Sequence, residues 1–208
     1  MSGAAYVIDD SARREDTDVW FALPPGFVPI PLMELAAAAH DVAPAGDPTT
    51  GIGPGSRLAQ LFLEADAVHC CLGLHADDEG DGGPLLSLFT LAWRGTDWAP
   101  RSVLAGRAAA GAEGAEYIDM LDLPCGPAAL VQTRFDEPPG LGLGTPDGLL
   151  QVTAYVPCLD GRRVAILSLA TTAVERAQQY RGLLRNIAHT VSFEDPLAEA
   201  SDDVADRN

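Results

Sequence analysis

Residues 149–169 read LLQVTAYVPCLDGRRVAILSL, and this stretch decides the fold class. Two runs rich in aliphatic and β-branched residues, 149–156 and 163–169, stand on either side of Asp160 and Gly161. An Asp-Gly pair between such runs is typical of a tight β-hairpin, because both residues tolerate the left-handed backbone that the turn needs. We therefore predict an antiparallel hairpin here and a sheet that extends outward from it.

The rest of the chain supplies further strands and several helices. Strand-like runs separated by turn residues cover 19–23 with 27–30, then 68–75, 85–94, 115–123 and 128–135. Apolar residues at helical spacing predict helices over 32–39, 57–67, 101–110 and 172–189. Thr172 and Glu175 form a capping box that should start the last helix. Together these elements predict an α+β fold: a single-domain α/β/α sandwich with a central, mainly antiparallel sheet flanked by helices.

The length of 208 residues suits one domain, which we place at 19–193. Residues 1–18 carry several acids and predict a flexible acidic arm. Residues 194–208 carry six acids and one arginine, which predicts an acidic, disordered tail. The sequence leaves the oligomeric state open.

The charge balance argues against several classes of partner. The net charge is −17, from 30 acidic and 13 basic residues, and every basic residue is arginine. Binding to nucleic acid or to an anionic membrane surface needs clustered basic side chains, so neither partner is expected. The longest apolar stretches, such as 164–173, are shorter than the ~20 residues of a membrane helix, which predicts no membrane insertion. The N-terminal residues lack an export signal, so we expect a cytoplasmic protein, and the avoidance of lysine suggests a bacterial one.

Two stretches, 19–32 and 149–193, resemble the Mog/PsbP-like α/β/α sandwich superfamily, including bacterial relatives of the LpqN type. The resemblance lies in an aromatic strand that ends at Pro24, Pro25, Gly26 and Phe27, in the late hairpin, and in a terminal helix that runs into 191–193. It implies a central antiparallel sheet flanked by helices, and a binding or accessory role. It carries over no catalytic residue, because the matching positions are turns and packing stripes. The LpqN-type relatives are exported, whereas this chain shows no export signal.

The group His69, Cys70, Cys71 and His75 contains the residue types used in zinc sites and thiol catalysis. On a strand, His69 and His75 share a face but lie about 20 Å apart, too far to bind one metal ion. The sequence contains no Cys-x-x-Cys pair that could complete a site. We therefore predict no metal site and no catalytic residue among these four.

Two loops have a partial likeness to ligand-binding motifs. The acidic run 77–82 begins like a calcium loop, but Leu88 stands where the bidentate carboxylate would be needed. Gly140, Gly142 and Gly144 lack the spacing of a dinucleotide-binding turn and precede a strand instead of a helix. We therefore predict no cofactor.

The best candidate for a contact surface is the region around the end of the strand over 85–94. Tryptophan and arginine are enriched at the residues that dominate protein interfaces. The candidate surface comprises Trp93, Arg94, Trp98, Arg101 and Arg107. It predicts a non-enzymatic protein-binding or accessory module, with an unidentified protein as partner.

Two alternatives stay open at this point. A small-molecule or lipid carrier would need a cavity between the sheet and the helices. An enzyme of unrecognised type would use His69 or Cys71 together with loop carboxylates, and these side chains would then converge in one pocket.

Overall fold

A computed structural model describes residues 19–31, 67–76, 84–135 and 148–194. These residues form one sheet, two α-helices and a single turn of 3-10 helix at Val174–Arg176. The strands are β1 (Phe27–Pro29), β2 (Ala67–Ala76), β3 (Pro84–Gly95), β4 (Ala115–Leu123), β5 (Gly126–Phe135), β6 (Leu149–Pro157) and β7 (Arg163–Thr171). The helices are α1 (Arg101–Ala110) and α2 (Ala177–His189).

The sheet has the strand order β1-β2-β3-β7-β6-β5-β4, and every neighbouring pair is antiparallel. The predicted hairpin is confirmed as β6 and β7, with Thr153 opposite Ser168. Its turn contains Gly161 at a φ of +64°, and the Asp160 carboxylate accepts hydrogen bonds from the backbone of Arg162 and Arg163. These hydrogen bonds to the Asp160 side chain stabilise the turn. The hairpin therefore forms the middle of the sheet.

The predicted helix-flanked sandwich is wrong, because the sheet dominates the fold. Strands take up 52% and helices 22% of the structure, and the described residues contain two α-helices. Each of these two helices covers only part of one face, so the described helices do not form complete outer layers. The helices predicted over 32–39 and 57–67 lie outside the described residues, except that Ala67 begins β2. Neither described helix is long and apolar enough to cross a membrane.

The two helices lie on opposite faces of the sheet. On one face α2 places Tyr180, Leu184 and Ile187 over the centre of the sheet. The core strand residues on this face include Phe89, Leu91, Leu130, Leu150, Val152, Leu167 and Leu169. On the other face α1 uses small side chains, which lets it lie close to β5 and β6. Burial of apolar side chains on both faces of β5 and β6 makes this part of the sheet the core of the domain.

Two local predictions need correction. The capping box is absent: α2 begins at Ala177 after the 3-10 turn, and no side chain caps it. Thr171, at the buried end of β7, instead accepts a hydrogen bond from the amide of Ala173 and donates one to the carbonyl of Leu86. The strand predicted over 19–23 is reduced to a single bridge between Trp20 and Ser192.

Candidate functional site

Two loops meet at the end of the sheet where β3 finishes and β7 starts. The amide of Thr96 donates to the carbonyl of Arg162 over 2.8 Å, and the amide of Ala99 donates to that of Gly161 over 3.1 Å. These bonds tie the segment 96–100, which leads into α1, to the β6–β7 turn at 158–162. We call these two segments together the Trp98 corner. Their mutual hydrogen bonds make the corner a fixed part of the structure.

Trp98 projects from this corner with 63% of its surface exposed. Its indole ring lies against Gly161, where a Cβ atom would come within 3.1 Å of the indole nitrogen and 2.9 Å of the Ala99 carbonyl oxygen. Gly161 therefore has two roles. Its left-handed backbone allows the turn, and its lack of a side chain leaves room for the indole of Trp98. The result is a large aromatic side chain that is exposed and positioned at the same time.

This end of the sheet also carries exposed apolar and cationic side chains. Leu159 in the adjoining turn is exposed, as are Arg94 at the end of β3 and Arg162. Asp160 is engaged by Arg163, whose Nε atom lies 2.9 Å from the carboxylate. Burial alone would raise the pKa of Asp160, but the hydrogen bonds from Arg162 and Arg163 outweigh it and lower the pKa. The carboxylate is therefore committed to holding the turn.

Trp93 and Arg101 lie at the same end of the sheet but have packing roles. Trp93 is half-buried on the face that α2 covers, with the Arg163 guanidinium 5.1 Å from its ring centre and the Phe193 ring 6.3 Å away. Arg101 donates from Nε to the carbonyl of Pro157 over 3.0 Å, and from a terminal nitrogen to the carbonyl of Cys125. Arg101 thus ties the end of β6 to the β4–β5 turn.

The structure therefore divides the candidate surface. Arg94 and Trp98 are exposed at the corner, whereas Trp93 and Arg101 are partly enclosed. Arg107 is exposed in the last turn of α1, about 9 Å along the helix axis from Arg101.

The sequence did not indicate Leu159 or Arg162 as parts of this surface. They belong to the hairpin turn, which is hydrogen-bonded to the segment 96–100 because β7 pairs with β3. The Asp-Gly signal located the turn, but it does not say which loop the turn meets.

His69 and Cys71 form a close pair on β2, with 3.1 Å between Nε2 and Sγ. A thiol beside an imidazole is the arrangement of a nucleophile and its base. Cys71 is completely buried, however, and Phe21 covers His69 with ring centres 5.5 Å apart. A substrate has no access to this sulfur in the present conformation. The loop carboxylates of the enzyme hypothesis, at 77–83, lie outside the described residues.

The neighbouring Cys70 points to the opposite face of the sheet and is also buried. Burial, followed by the charge of Cys71, raises the pKa of the Cys70 thiol to about 12, so this thiol stays protonated. All four cysteines of the chain are free. Within the part of the chain that the structure describes, no group of three or more His, Cys, Asp or Glu residues could hold a metal ion.

A second polar pair lies at the other end of β2. His75 Nε2 and Ser87 Oγ are 3.3 Å apart, and burial lowers the pKa of His75, which favours the neutral imidazole. A side chain at Gly73 would collide with both residues and with Phe27. Gly73 is therefore required to make room for the pair.

His75 also borders a cavity of about 340 Å³ between the ends of β2 and β3 and the first turns of α2. The lining residues are Pro25, Leu74, His75, Leu85, Gln179, Tyr180 and Leu183. This volume lies at the lower end of the range for small-molecule sites, and the lining is part polar and part apolar.

No protein-family model matches this sequence, and a comparison with curated proteins also gives no match. The Mog/PsbP-like resemblance therefore stays a prediction.

Proposed function

We propose that this protein is a non-enzymatic binding or accessory module that holds a protein partner at the Trp98 corner. The proposal rests on the exposed indole of Trp98, which packs against Gly161. A positioned tryptophan loses little side-chain entropy on binding and offers a large contact area. The four free cysteines support a cytoplasmic site of action, where thiols remain reduced.

The corner also suggests the chemistry of the partner. Arg94 and Arg162 are exposed at this end of the sheet, although the chain as a whole carries a net charge of −17. Guanidinium groups bind carboxylates through paired hydrogen bonds and stack on planar groups. A partner segment that combines carboxylates with an apolar side chain fits this surface.

The test is affinity purification of the tagged full chain from its native host, compared with Trp98→Ala. The matched control is Val28→Ala, because Val28 is also 63% exposed but lies on β1 at an edge of the sheet. We expect one stoichiometric partner, with its recovery reduced by about tenfold or more in Trp98→Ala and unchanged in the control. Equal recovery of the partner by Trp98→Ala and the parent protein would remove the corner from the binding surface.

The cavity beside His75 favours a second candidate function, that of a small-molecule carrier. Its volume suits a compact ligand better than a lipid chain, and its mixed lining suits a molecule with both polar and apolar parts. Native mass spectrometry of the protein from its host would show a co-purifying mass, which His75→Phe should displace by filling the cavity. A spectrum with the bare chain alone would argue against a carrier.

A further inference from the structure

The last described residues of the chain lie next to the Trp98 corner. The ring of Phe193 is 6.3 Å from the ring of Trp93 and 6.0 Å from the guanidinium carbon of Arg101. Trp93 is in β3 and Arg101 opens α1, so these two residues stand on either side of the segment 96–100. Whatever follows Glu194 in the chain therefore starts at the flank of the corner.

The corner and the residues that flank it form a basic region on an acidic protein. The segments 93–101 and 158–163 together contain four arginines and two aspartates, a net charge of +2, whereas the whole chain has −17. Arg94 and Arg162 are exposed, and so is Asp97. The second aspartate is already engaged by a neighbouring arginine over 2.9 Å. Such a region attracts carboxylates.

The sequence after Glu194 has the composition that suits this region. Residues 195–208 lie outside the described residues and read DPLAEASDDVADRN. They contain five acids and one arginine, together with the apolar residues Leu197 and Val204. Carboxylates combined with apolar side chains are the chemistry that fits the Trp98 corner, where the indole and Leu159 are exposed.

From these observations we propose that residues 195–208 bind back to the Trp98 corner of the same chain and occupy it until a partner displaces them. An apolar side chain of the segment contacts the indole, and its carboxylates pair with Arg94 and Arg162. Fourteen residues reach up to about 50 Å, at about 3.3–3.6 Å each. The seven strands span only about 29 Å side by side, so the corner is within reach. This inference rests on the proposed function, because it names the regulation of the same surface.

Covalent attachment makes a weak contact sufficient for this role. A segment joined to its site by a short stretch of chain meets it at an effective concentration of about 1 mM. If the dissociation constant for separate molecules is about 0.1 mM, the corner is then occupied about ten times as often as it is open. A competing partner binds about tenfold more weakly than it would bind an open corner.

The nearest alternative occupant is the acidic arm at residues 1–18. Trp20 and Ser192 form an antiparallel bridge, so this arm leaves the described fold beside the start of residues 195–208. The arm also contains five acids, but two arginines reduce its net charge to −3, against −4 for residues 195–208. Phe193 moreover already packs at the flank of the corner. These differences favour residues 195–208, and the equal number of acids makes the arm a matched control.

The test compares two variants of the full chain that have the same change in charge. The tail variant replaces the five acids of residues 195–208 by their amides, and the arm variant does the same for the five acids of residues 1–18. The acids replaced are Asp195, Glu199, Asp202, Asp203 and Asp206 in the tail variant and Asp9, Asp10, Glu15, Asp16 and Asp18 in the arm variant.

The probe is a labelled peptide with the sequence of residues 195–208, titrated into each protein by fluorescence anisotropy. We expect it to bind the tail variant about tenfold more tightly than the parent protein, whose own segment occupies the corner. The arm variant should match the parent within about twofold, since salt at about 0.15 M screens the general change in charge.

Two further substitutions locate the binding site of the peptide. Trp98→Ala in the tail variant should weaken binding of the peptide by about tenfold or more. Val28→Ala in the same variant should leave it unchanged, because Val28 is equally exposed but lies on β1.

Several results would overturn the proposal. Equal binding of the peptide by the tail variant and the parent, or binding by neither, would mean that residues 195–208 do not occupy the corner. An equal gain in both variants would mean a general effect of charge, and a gain in the arm variant alone would assign the corner to residues 1–18. A concentration-dependent dimer of the parent that the tail variant lacks would mean that the segment binds a second copy.

The proposed function is judged by a different measurement. Recovery of a partner that depends on Trp98, without binding of the peptide, would leave the proposed function in place and reject its regulation by residues 195–208. Binding of the peptide at Trp98 with no partner in the affinity purification would keep the contact within the chain and reject the proposed function. If both hold, the tail variant should recover several times more partner than the parent, and the arm variant should not.

Discussion

The β5–β7 half of the sheet and the β1–β3 half have the same alternating pattern of side chains but differ in what covers them. Helices pack on both faces of β5 and β6, and Leu130, Val152 and Leu167 are fully buried. On β1–β3, the face opposite α2 leaves five large aliphatic side chains exposed. These are Val28, Val68, Leu72, Leu74 and Leu86. Alternation therefore sets which face a side chain joins, whereas burial depends on the element that lies above it.

Equivalent leucine substitutions in the two halves give the largest expected contrast. Leu167→Ala removes a fully buried side chain from the core and should lower the free energy of unfolding by about 2–5 kcal/mol. Leu72→Ala changes a side chain that is 43% exposed and should cost less than about 1 kcal/mol. Urea unfolding followed by circular dichroism measures both. A loss for Leu72→Ala as large as that for Leu167→Ala would show that the β1–β3 face is covered in solution.

Two glycines sharpen the comparison inside the less covered half. Gly73→Ala forces a methyl group against Ser87, His75 and Phe27, and should cost about 1–3 kcal/mol of unfolding free energy. Gly95→Ala, at the end of β3, meets no atom within 4 Å. It should be neutral or slightly stabilising, because alanine restricts the unfolded chain. Thermal unfolding of both variants checks this, and equal destabilisation would mean that the close contacts around Gly73 do not explain its cost.

The comparison also shows which parts of the fold the sequence encodes locally. The β6–β7 turn follows from Asp160 and Gly161, whose side-chain and backbone preferences act within a few residues. The range of α1 matches the prediction because an apolar helical pattern ends at Gly111. The start of α2 does not match: a 3-10 turn at Val174–Arg176 precedes it, and the hydroxyl that forms hydrogen bonds there belongs to Thr171, which bonds to Leu86 across the sheet, a contact that no local pattern reveals.

The candidate site depends even more on distant contacts. In the sequence, Trp93 and Trp98 are equally good candidates for an interface. In the structure, Trp93 packs against Phe193, whereas Trp98 is exposed. Arg101 resembles a surface residue in sequence, but its hydrogen bonds go to carbonyl groups 24 and 56 residues further along the chain. Both outcomes depend on contacts between segments far apart in sequence. Residue propensities and motif spacing cannot predict which distant segments come together, because closing a long loop leaves no pattern in the local sequence.

The smallest expected effect concerns His75, on β2 in the less covered half. Burial lowers its pKa from the ordinary value of 6.5, so between these two pKa values the unfolded chain binds more protons than the folded one. Its contribution to stability is therefore complete above about pH 6.5. It declines as the pH falls through that value and levels off below the lowered pKa of the folded state. Because His75 is only partly buried, solvent screens the effect and keeps it small.

The measurement is the unfolding free energy of the parent and of His75→Gln between pH 7.5 and pH 5, chosen as a range around the ordinary histidine pKa of about 6.5. The difference between the two proteins isolates His75 from the many carboxylates, which titrate in both. Ser87→Ala serves as a control, since it removes the hydrogen bond but leaves the imidazole in place. If burial causes the shift, Ser87→Ala retains the pH dependence and His75→Gln loses part of it. If Ser87→Ala loses the pH dependence as well, the hydrogen bond between His75 and Ser87 causes it, and burial of the imidazole does not.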